Sequence, residues 1–460
     1  MARTFLFAHT ILSALFTSSS STTTTFTPPM DTDTDTHLDE ASAPRKGIRY
    51  ASAVKMRLEE EICSLISEVQ EFNLSTIERI ELPTALDFHR FVAANRPVII
   101  TLPASATTVH APSATRVDPT PQERQWAWPA FTKWTNEYLS NTLGQKEITV
   151  ACTPNGWADA VVDDKYFAMP CEKKMTFDQF LDGMPIRTRQ KDSHRGGTSE
   201  QDKGLRESKD LETRAQQLDL EGPGQGDRDL DPYQEVRYIQ LQNGNLMTEY
   251  QELMEDVPAD IPFASEALGK LPDAVNFWYG DERSSTSLHK DHYENMYAVI
   301  AGRKIFTLIP PTEQFCLHEQ TYIAATYVDV QEASTEASGP SDTSSSSPSS
   351  ASPRYKLEPL DPIVHTKWIA LNPSHEPKEE LFEKYPRFQM CQPFRVELNP
   401  GEILYLPAMW YHQVEQEPDH EGKCIAVNWW YDMGFEGDRF ATATFMSNLV
   451  RLVDQIDGTS

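Results

Sequence analysis

Regular patterning of apolar and polar positions begins near residue 50. From 50 to 72, Met56, Leu58, Ile62, Leu65, Ile66 and Val69 recur near helical spacing with charged residues between them, which predicts an amphipathic helix packed on a core. Residues 77–101 read as a strand, a helix and a second, buried strand that follows the turn at Asn95-Arg96-Pro97. Trp126, Trp128, Phe131 and Trp134 predict a helix packed on a sheet. Between 147 and 170 the pattern alternates with a period of two, broken by the turn Thr153-Pro154-Asn155-Gly156. Short alternating runs then recur at 236–241, 274–279, 295–301, 304–310, 394–398, 402–406 and 425–430, separated by turn signals at Gly280-Asp281, Gly302 and Pro400-Gly401. Many short strands with regular turns predict a β-sandwich or barrel, here a mainly β (α+β) fold with a helical N-terminal lobe. Residues 436–460 return to helical periodicity through Phe440, Phe445, Leu449, Leu452 and Ile456, a helix that packs on the barrel or on a second copy of the chain.

The patterned segments are interrupted. Residues 1–48 are Ser/Thr-rich with an alternating Asp-Thr run, and read as a disordered extension. Residues 102–122 form a Pro/Thr/Ser-rich loop. The stretches 185–232 (charged and Gly-rich) and 331–353 (Ser, Pro, Ala and Glu) read as disordered insertions within one domain spanning 49–455. The first 30 residues contain a short apolar stretch from Phe5 to Phe16, but His9 and Thr10 interrupt it and no small-x-small cleavage site follows. The extension is therefore expected to be disordered rather than a presequence. No segment is long and apolar enough to span a bilayer.

Composition adds two limits. The chain has 41 basic and 69 acidic residues, a formal charge of −28, which makes it a poor match for a phosphate backbone and a fair one for a basic protein partner. Six cysteines are scattered singly with no C-x-x-C pair. They read as buried thiols in a reducing compartment, the cytoplasm with a possible nuclear share, rather than a zinc ribbon or a dithiol.

The chemistry concentrates in Ser287-Leu288-His289-Lys290-Asp291. Positions i and i+2 of a strand share a face, so His289 and Asp291 can present an imidazole and a carboxylate to one cation. His412 supplies the best third ligand. It ends a G-E-x-L-Y-x-P-x-x-W-x-H segment (401–412) that reads as a turn, a buried strand and a bend. Two histidines and one carboxylate form a facial triad suited to non-haem Fe(II), with three positions left for a bidentate 2-oxo acid and dioxygen. An isolated H-x-D is usually a solvated surface pair, and an isolated His412 a core histidine bonded to the backbone. The two segments in one strand-rich region make the joint pattern specific. His292 is set aside because it points to the opposite strand face.

These residues resemble the Jumonji-C oxygenases, and most of all their lysyl-hydroxylase branch. The resemblance is carried by the runs 272–280 and 286–295, by Ile425-Ala426-Val427-Asn428-Trp429-Trp430-Tyr431-Asp432-Met433, and by Thr153-Pro154-Asn155-Gly156-Trp157-Ala158-Asp159-Ala160-Val161. It covers roughly 50–184 and 233–455. It implies a double-stranded β-helix (a cupin-like jelly-roll barrel) with flanking helices. It also implies that Lys304 pairs with the distal carboxylate of 2-oxoglutarate, that Thr286 donates a hydroxyl to the same group, and that Tyr238, Asn295 and Asn428 line the cosubstrate pocket. The implied ligands of the site are thus Fe(II), 2-oxoglutarate and O2. The implied substrate is a protein lysine hydroxylated at C3, on a translation-associated GTPase of the developmentally regulated GTP-binding class, with a homodimer as a further implication. Tyr293 and Trp410 flank the metal in sequence, and Trp410 reads as barrel packing. Three other readings share the residues: N-demethylation of methyl-lysine or methyl-arginine, a divalent-metal peptidase acting on histone tails, and a non-catalytic cupin binding module. No H-E-x-x-H helix supports the peptidase, and Lys304 with a complete triad argues against the binding module.

Overall fold

The computed structural model describes residues 43–73, 75–103, 125–185, 235–242, 244–330 and 354–457. With strands numbered in chain order, one sheet runs β1 (Glu78–Ile80), β2 (Val98–Thr101), β17 (Glu402–Leu406), β11 (Tyr293–Ala301), β19 (Cys424–Asp432) and β9 (Ala274–Gly280). A second runs β16 (Phe394–Leu398), β12 (Arg303–Ile309), β18 (Tyr411–Glu417), β10 (Ser285–Lys290) and β4 (Trp157–Ala158). Alternation gives each sheet one inward face. Ile99, Trp278, Tyr297, Val299, Phe306, Leu308, Val396, Leu404 and Ala426 meet in a single apolar interior. These two sheets form the jelly-roll barrel that the strand pattern and the resemblance predict.

Both outer faces are covered, which is why few strands show a clean alternation of apolar and polar residues. On the first sheet, Phe277, Tyr279, Met296, Ile403, Tyr405, Val427 and Trp429 pack with Phe88, Trp126, Trp128, Trp134 and Leu139 from the N-terminal lobe. On the second, Leu288, Ile309 and Tyr411 are covered by Ile369, Leu371, Leu381, Tyr385 and Phe388. Burying each such side chain stabilises the fold by about 1.5–3 kcal/mol. Two smaller sheets flank the barrel. One runs β14 (Tyr355–Pro359), β13 (Gln320–Asp329), β6 (Tyr166–Met169) and β5 (Ala160–Val162), with β15 (His365–Trp368) also paired to β13. The other runs β7 (Cys171–Thr176), β3 (Glu147–Thr153) and β8 (Val236–Tyr238).

Several expectations are corrected. The N-terminal helix spans Ala43–Phe72 and so begins inside the stretch expected to be disordered. Its buried stripe is Leu58, Ile62, Cys63 and Ile66, while Met56 and Leu65 are exposed. The tryptophan-rich segment is core, as expected, but the helix is broken: Gln125 and Trp126 are helical, residues 127–129 are not, and Ala130–Lys133 forms one short turn. The C-terminal helix Asp438–Asp457 buries Met446 and Val453 and packs Leu449 and Val450 beside the N-terminal helix, leaving Phe445 and Leu452 exposed. A stripe at 446, 449, 450 and 453 keeps the i, i+3, i+4, i+7 spacing better than the expected one. The extension before Ala43, most of the 102–122 loop and the two insertions lie outside the described residues. All six cysteines are free, and Cys152, Cys316 and Cys424 are buried. No helix among the described residues is long and apolar enough to cross a membrane.

Candidate metal centre

His289 and His412 face each other across the β10–β18 pair. The strand β10 ends at Lys290. Asp291 therefore does not share a strand face with His289, as expected from the spacing; its carboxylate reaches the site from the turn between β10 and β11. The convergence holds even so: Asp291 Oδ2 lies 3.8 Å from His289 Nε2 and 3.6 Å from His412 Nε2. Of the described residues, these three form the one group of histidine, cysteine and carboxylate ligands whose atoms lie within 4.8 Å of one another.

Backbone carbonyls set the imidazoles. His289 Nδ1–H donates to the Ser287 carbonyl at 2.7 Å, and His412 Nδ1–H donates to the Trp410 carbonyl at 3.1 Å. Both Nε2 lone pairs are thereby free to face a cation. Burial, with His289 alongside, pushes the His412 imidazole well below its ordinary pKa, which keeps it neutral. Metal bonds of about 2.1 Å at right angles put ligand atoms about 3 Å apart. The triad fits an octahedral cation after an inward shift of under about 1 Å. Its N/O donor set, with no thiolate, suits Fe(II) better than structural zinc.

A bulge completes the wall. Thr286 and His289, three residues apart, would point to opposite faces of a regular strand. The register shifts between them, so that Thr286 pairs with Val414 and His289 with His412. Val414 packs into the barrel interior, and both β10 side chains therefore face inward. His292 does point away from the triad, as expected; its ring stacks near Phe435 at 6.0 Å between centroids. Trp410 is barrel packing, as read from the sequence, with Nε1 donating to the Asn95 carbonyl at 2.8 Å.

Deeper in the barrel, Lys304 is 1% exposed. Its ammonium donates to the Tyr238 hydroxyl at 3.0 Å and to Gln416 Oε1. Both partners are neutral. Burial raises the Tyr238 phenol above its usual pKa, so it stays protonated. A buried cation held only by neutral acceptors costs several kcal/mol of desolvation unless an anion joins it, and a carboxylate ligand meets that need. Asn428 and Asn295 bond to each other at 3.0 Å; Asn428 also accepts from Trp278 Nε1 at 2.8 Å and Asn276 Nδ2 at 3.2 Å. All eight residues expected in the site thus line the barrel or its mouth, where they form a triad with Thr286, a Lys304–Tyr238 pair, and an asparagine pair.

Gln416 escaped the sequence reading. Its signal was there: it lies two and four residues beyond Val414 and His412 on β18, with the same inward parity. Its Nε2 donates to the Asp281 carbonyl at 2.7 Å, which fixes the amide for Lys304. Trp368 was also missed. Its indole stacks parallel to His289 at 6.0 Å and donates to Ser287 Oγ at 3.0 Å, bracing the residue whose carbonyl orients His289. It lies far along the chain, beyond the second insertion, and nothing local marks it.

Residues 124–437 match the model of a cupin-like domain. The chain is 34% identical over 355 residues to the human bifunctional peptidase and (3S)-lysyl hydroxylase JMJD7, covering 77% of this chain and 83% of that protein. It is 30% identical to JmjC domain-containing protein E of Dictyostelium discoideum, covering 85% and 94%. To the Arabidopsis thaliana lysine-specific demethylase JMJ32 it is 33% identical, covering 85% and 91%. With the barrel, the triad and the buried lysine already in place, these matches show that the chain belongs to the cupin-like Jumonji-C family of 2-oxoglutarate-dependent dioxygenases.

Proposed function

We propose that the protein is an Fe(II)- and 2-oxoglutarate-dependent protein lysyl hydroxylase acting at lysine C3. The observation that carries the cosubstrate is Lys304, a buried ammonium with neutral partners in the barrel that bears the triad. The lysyl specificity leans on the human relative, whose name gives (3S)-lysyl hydroxylase. His289, Asp291 and His412 would hold the iron. Lys304 and Tyr238 would take the distal carboxylate of 2-oxoglutarate, with Thr286 as a further donor and Asn295 and Asn428 along the pocket. When bound, iron and 2-oxoglutarate supply the activation of dioxygen, which leaves succinate and carbon dioxide and inserts one oxygen atom into a C–H bond.

The protein's own part is placement. The two carbonyl-locked imidazoles and the Asp291 carboxylate fix three adjacent positions. Gln416 holds Lys304, and the apolar interior around Phe306, Tyr297 and Leu404 excludes water from the reacting groups. The substrate is a lysine-bearing protein segment, with a developmentally regulated GTP-binding protein as the candidate partner. An acidic chain of −28 suits a basic segment. We place the protein in the cytoplasm, with a nuclear share. A homodimer would use the outward face of the C-terminal helix, where Phe445 and Leu452 are exposed.

The test is succinate release with candidate lysine peptides, read together with peptide mass. A gain of one oxygen that is lost in His289→Ala supports the proposal. Formaldehyde release from a methylated peptide, with no oxygen retained, would replace it by demethylation, the reading favoured by the name of the Arabidopsis relative. An H-E-x-x-H metallopeptidase uses a free glutamate as base, whereas Glu294, the glutamate closest in sequence to Asp291, has both oxygens engaged by Tyr405, Ala408 and Arg439.

A further inference from the structure

The segment Pro407-Ala408-Met409-Trp410, which delivers His412, is held by groups that the cosubstrate chemistry does not use. Met409 has a φ of 72°, a left-handed conformation that is strained for a non-glycine residue and persists only where its surroundings over-determine it. Its amide donates to the carbonyl of Asp291 at 2.9 Å, so that two ligand-bearing segments are joined directly. The next residue upstream, Ala408, donates its amide to Glu294 Oε2 at 3.1 Å, and Tyr405 donates its hydroxyl to the same oxygen at 2.8 Å. Glu294 is 4% exposed, a carboxylate that needs a cation.

That cation comes from the other end of the chain. Arg439, the second residue of the C-terminal helix, donates through Nη1 to Glu294 Oε1 and through Nη2 to the Val92 carbonyl at 2.7 Å. Phe440 and Ala443, from the same turns of that helix, pack against Ala408, Met409 and Met433. The helix Ala85–Ala94 is thus held at its end by both neighbours, by Arg439 of the C-terminal helix at Val92 and by Trp410 of the segment at the carbonyl of its cap residue Asn95.

We propose that Glu294 and Arg439 are positioning residues for the metal: the first turn of the C-terminal helix, acting through Glu294, holds the strained Met409 segment and so keeps His412 in register with Asp291. Neither residue touches the ion. Outer partners of metal ligands typically change affinity by about 10–100-fold when removed. This inference rests on the metal reading of the triad, and the two can fail separately.

The experiment is a titration of the full chain with Co(II) alone, read by its ligand-field absorbance, on wild type, Arg439→Ala, Arg439→Lys, Arg387→Ala and His412→Ala. Arg387 pairs with Asp454 at 2.8 Å near the far end of the same helix and serves as the control for helix docking as such. The expected result is a roughly tenfold weaker dissociation constant for Arg439→Ala, partial recovery in Arg439→Lys, and no change for Arg387→Ala. Should Arg439→Ala not fold, Glu294→Gln, which keeps the side-chain shape, is measured in its place and expected to weaken binding in the same direction. Arg439→Ala (or its substitute) binding within twofold of wild type, or Arg387→Ala weakening it equally, overturns the positioning role. Wild type binding no better than His412→Ala overturns the metal reading itself.

Discussion

Replacing Lys304 by methionine tests the cosubstrate site most directly. The substitution keeps an unbranched side chain and removes the charge. If Lys304 anchors a carboxylate inside the barrel, its loss leaves that carboxylate buried without a cation. Breaking a buried pair in this way costs about 3–5 kcal/mol. At about 1.4 kcal/mol per decade, the dissociation constant of 2-oxoglutarate should rise roughly 140-fold to 3,700-fold. The ligand-free protein should respond quite differently. Removing a desolvated ammonium relieves several kcal/mol, while orphaning the Tyr238 hydroxyl and Gln416 Oε1 costs about 1–3 kcal/mol each. The two effects oppose, so denaturant unfolding should find the apo-protein within about 2 kcal/mol of wild type. The affinity is measured by anaerobic absorbance titration of the Fe(II)-loaded protein with 2-oxoglutarate; Fe(II) binding itself should be unaltered, because Lys304 lies outside the triad. A 2-oxoglutarate affinity within threefold of wild type would refute the anchoring role. So would a loss of apo-stability well beyond 2 kcal/mol, which would make Lys304 a structural residue.

The same pocket predicts the outcome at Gly280, where an added Cβ would lie 2.5 Å from both Gln416 Nε2 and Tyr238 Cδ2. Gly280→Ala should displace both partners of Lys304 and raise the KM for 2-oxoglutarate about tenfold or more, with Co(II) affinity retained; a KM equal to wild type would show that the pocket relaxes freely. His412→Ala should abolish the rise in melting temperature that divalent metal gives the wild type, measured by differential scanning fluorimetry with and without chelator. Acid stability should depend on Glu235. Burial opposes its ionisation, but hydrogen bonds from Lys173, Tyr355 and Arg237 prevail and hold the carboxyl at about 2, below its usual 4.5. Because the folded value is the depressed one, the contribution is fully present above pH 4.5 and is lost as the pH falls towards 2, amounting to about 3 kcal/mol. Unfolding followed from pH 5 to pH 2.5 should show this loss in wild type and a shallower dependence in Glu235→Gln.

The triad was legible because metal chemistry restricts residue types and spacing more tightly than packing does. The structure brings His289, Asp291 and His412 together as the joint pattern predicts, although the strand argument for Asp291 fails where β10 stops at Lys290. The positions of β16 and β17 were read to the residue, since Pro400-Gly401 punctuates them. What escaped depended on partners distant in sequence. The stripes of the two terminal helices were misassigned because they pack mainly on each other and on the 311–317 turn, so that which apolar residues face inward follows from docking rather than from periodicity. Thr286 could be placed in the site only by resemblance, because the bulge that turns it inward has no local signature.

The departures from ordinary folding rules gather at this site. Among the described residues, a lysine is buried without an anion, a methionine adopts a left-handed backbone, a strand takes an extra residue between Thr286 and His289, and a glycine sits where any Cβ would strike the lysine's partners. Each costs stability where an apolar side chain or a regular strand would not. Together they turn two inward-facing side chains of β10 and one of β18 towards the same space, with a cation further along the barrel. Gln416 pairs with Lys304 across β12 and β18 and lies four residues beyond His412, roughly 13 Å of strand. Triad and ammonium are therefore carried by one three-stranded wall, β10, β18 and β12, with Asp291 in the turn that follows β10, at a separation that their side chains and a short diacid would span together. A barrel selected only for packing would fill that space with leucine and valine, as this one does on its far side at Val299, Leu404 and Ala426. The concentration of local cost around one site is the physical reason to assign the chemistry there.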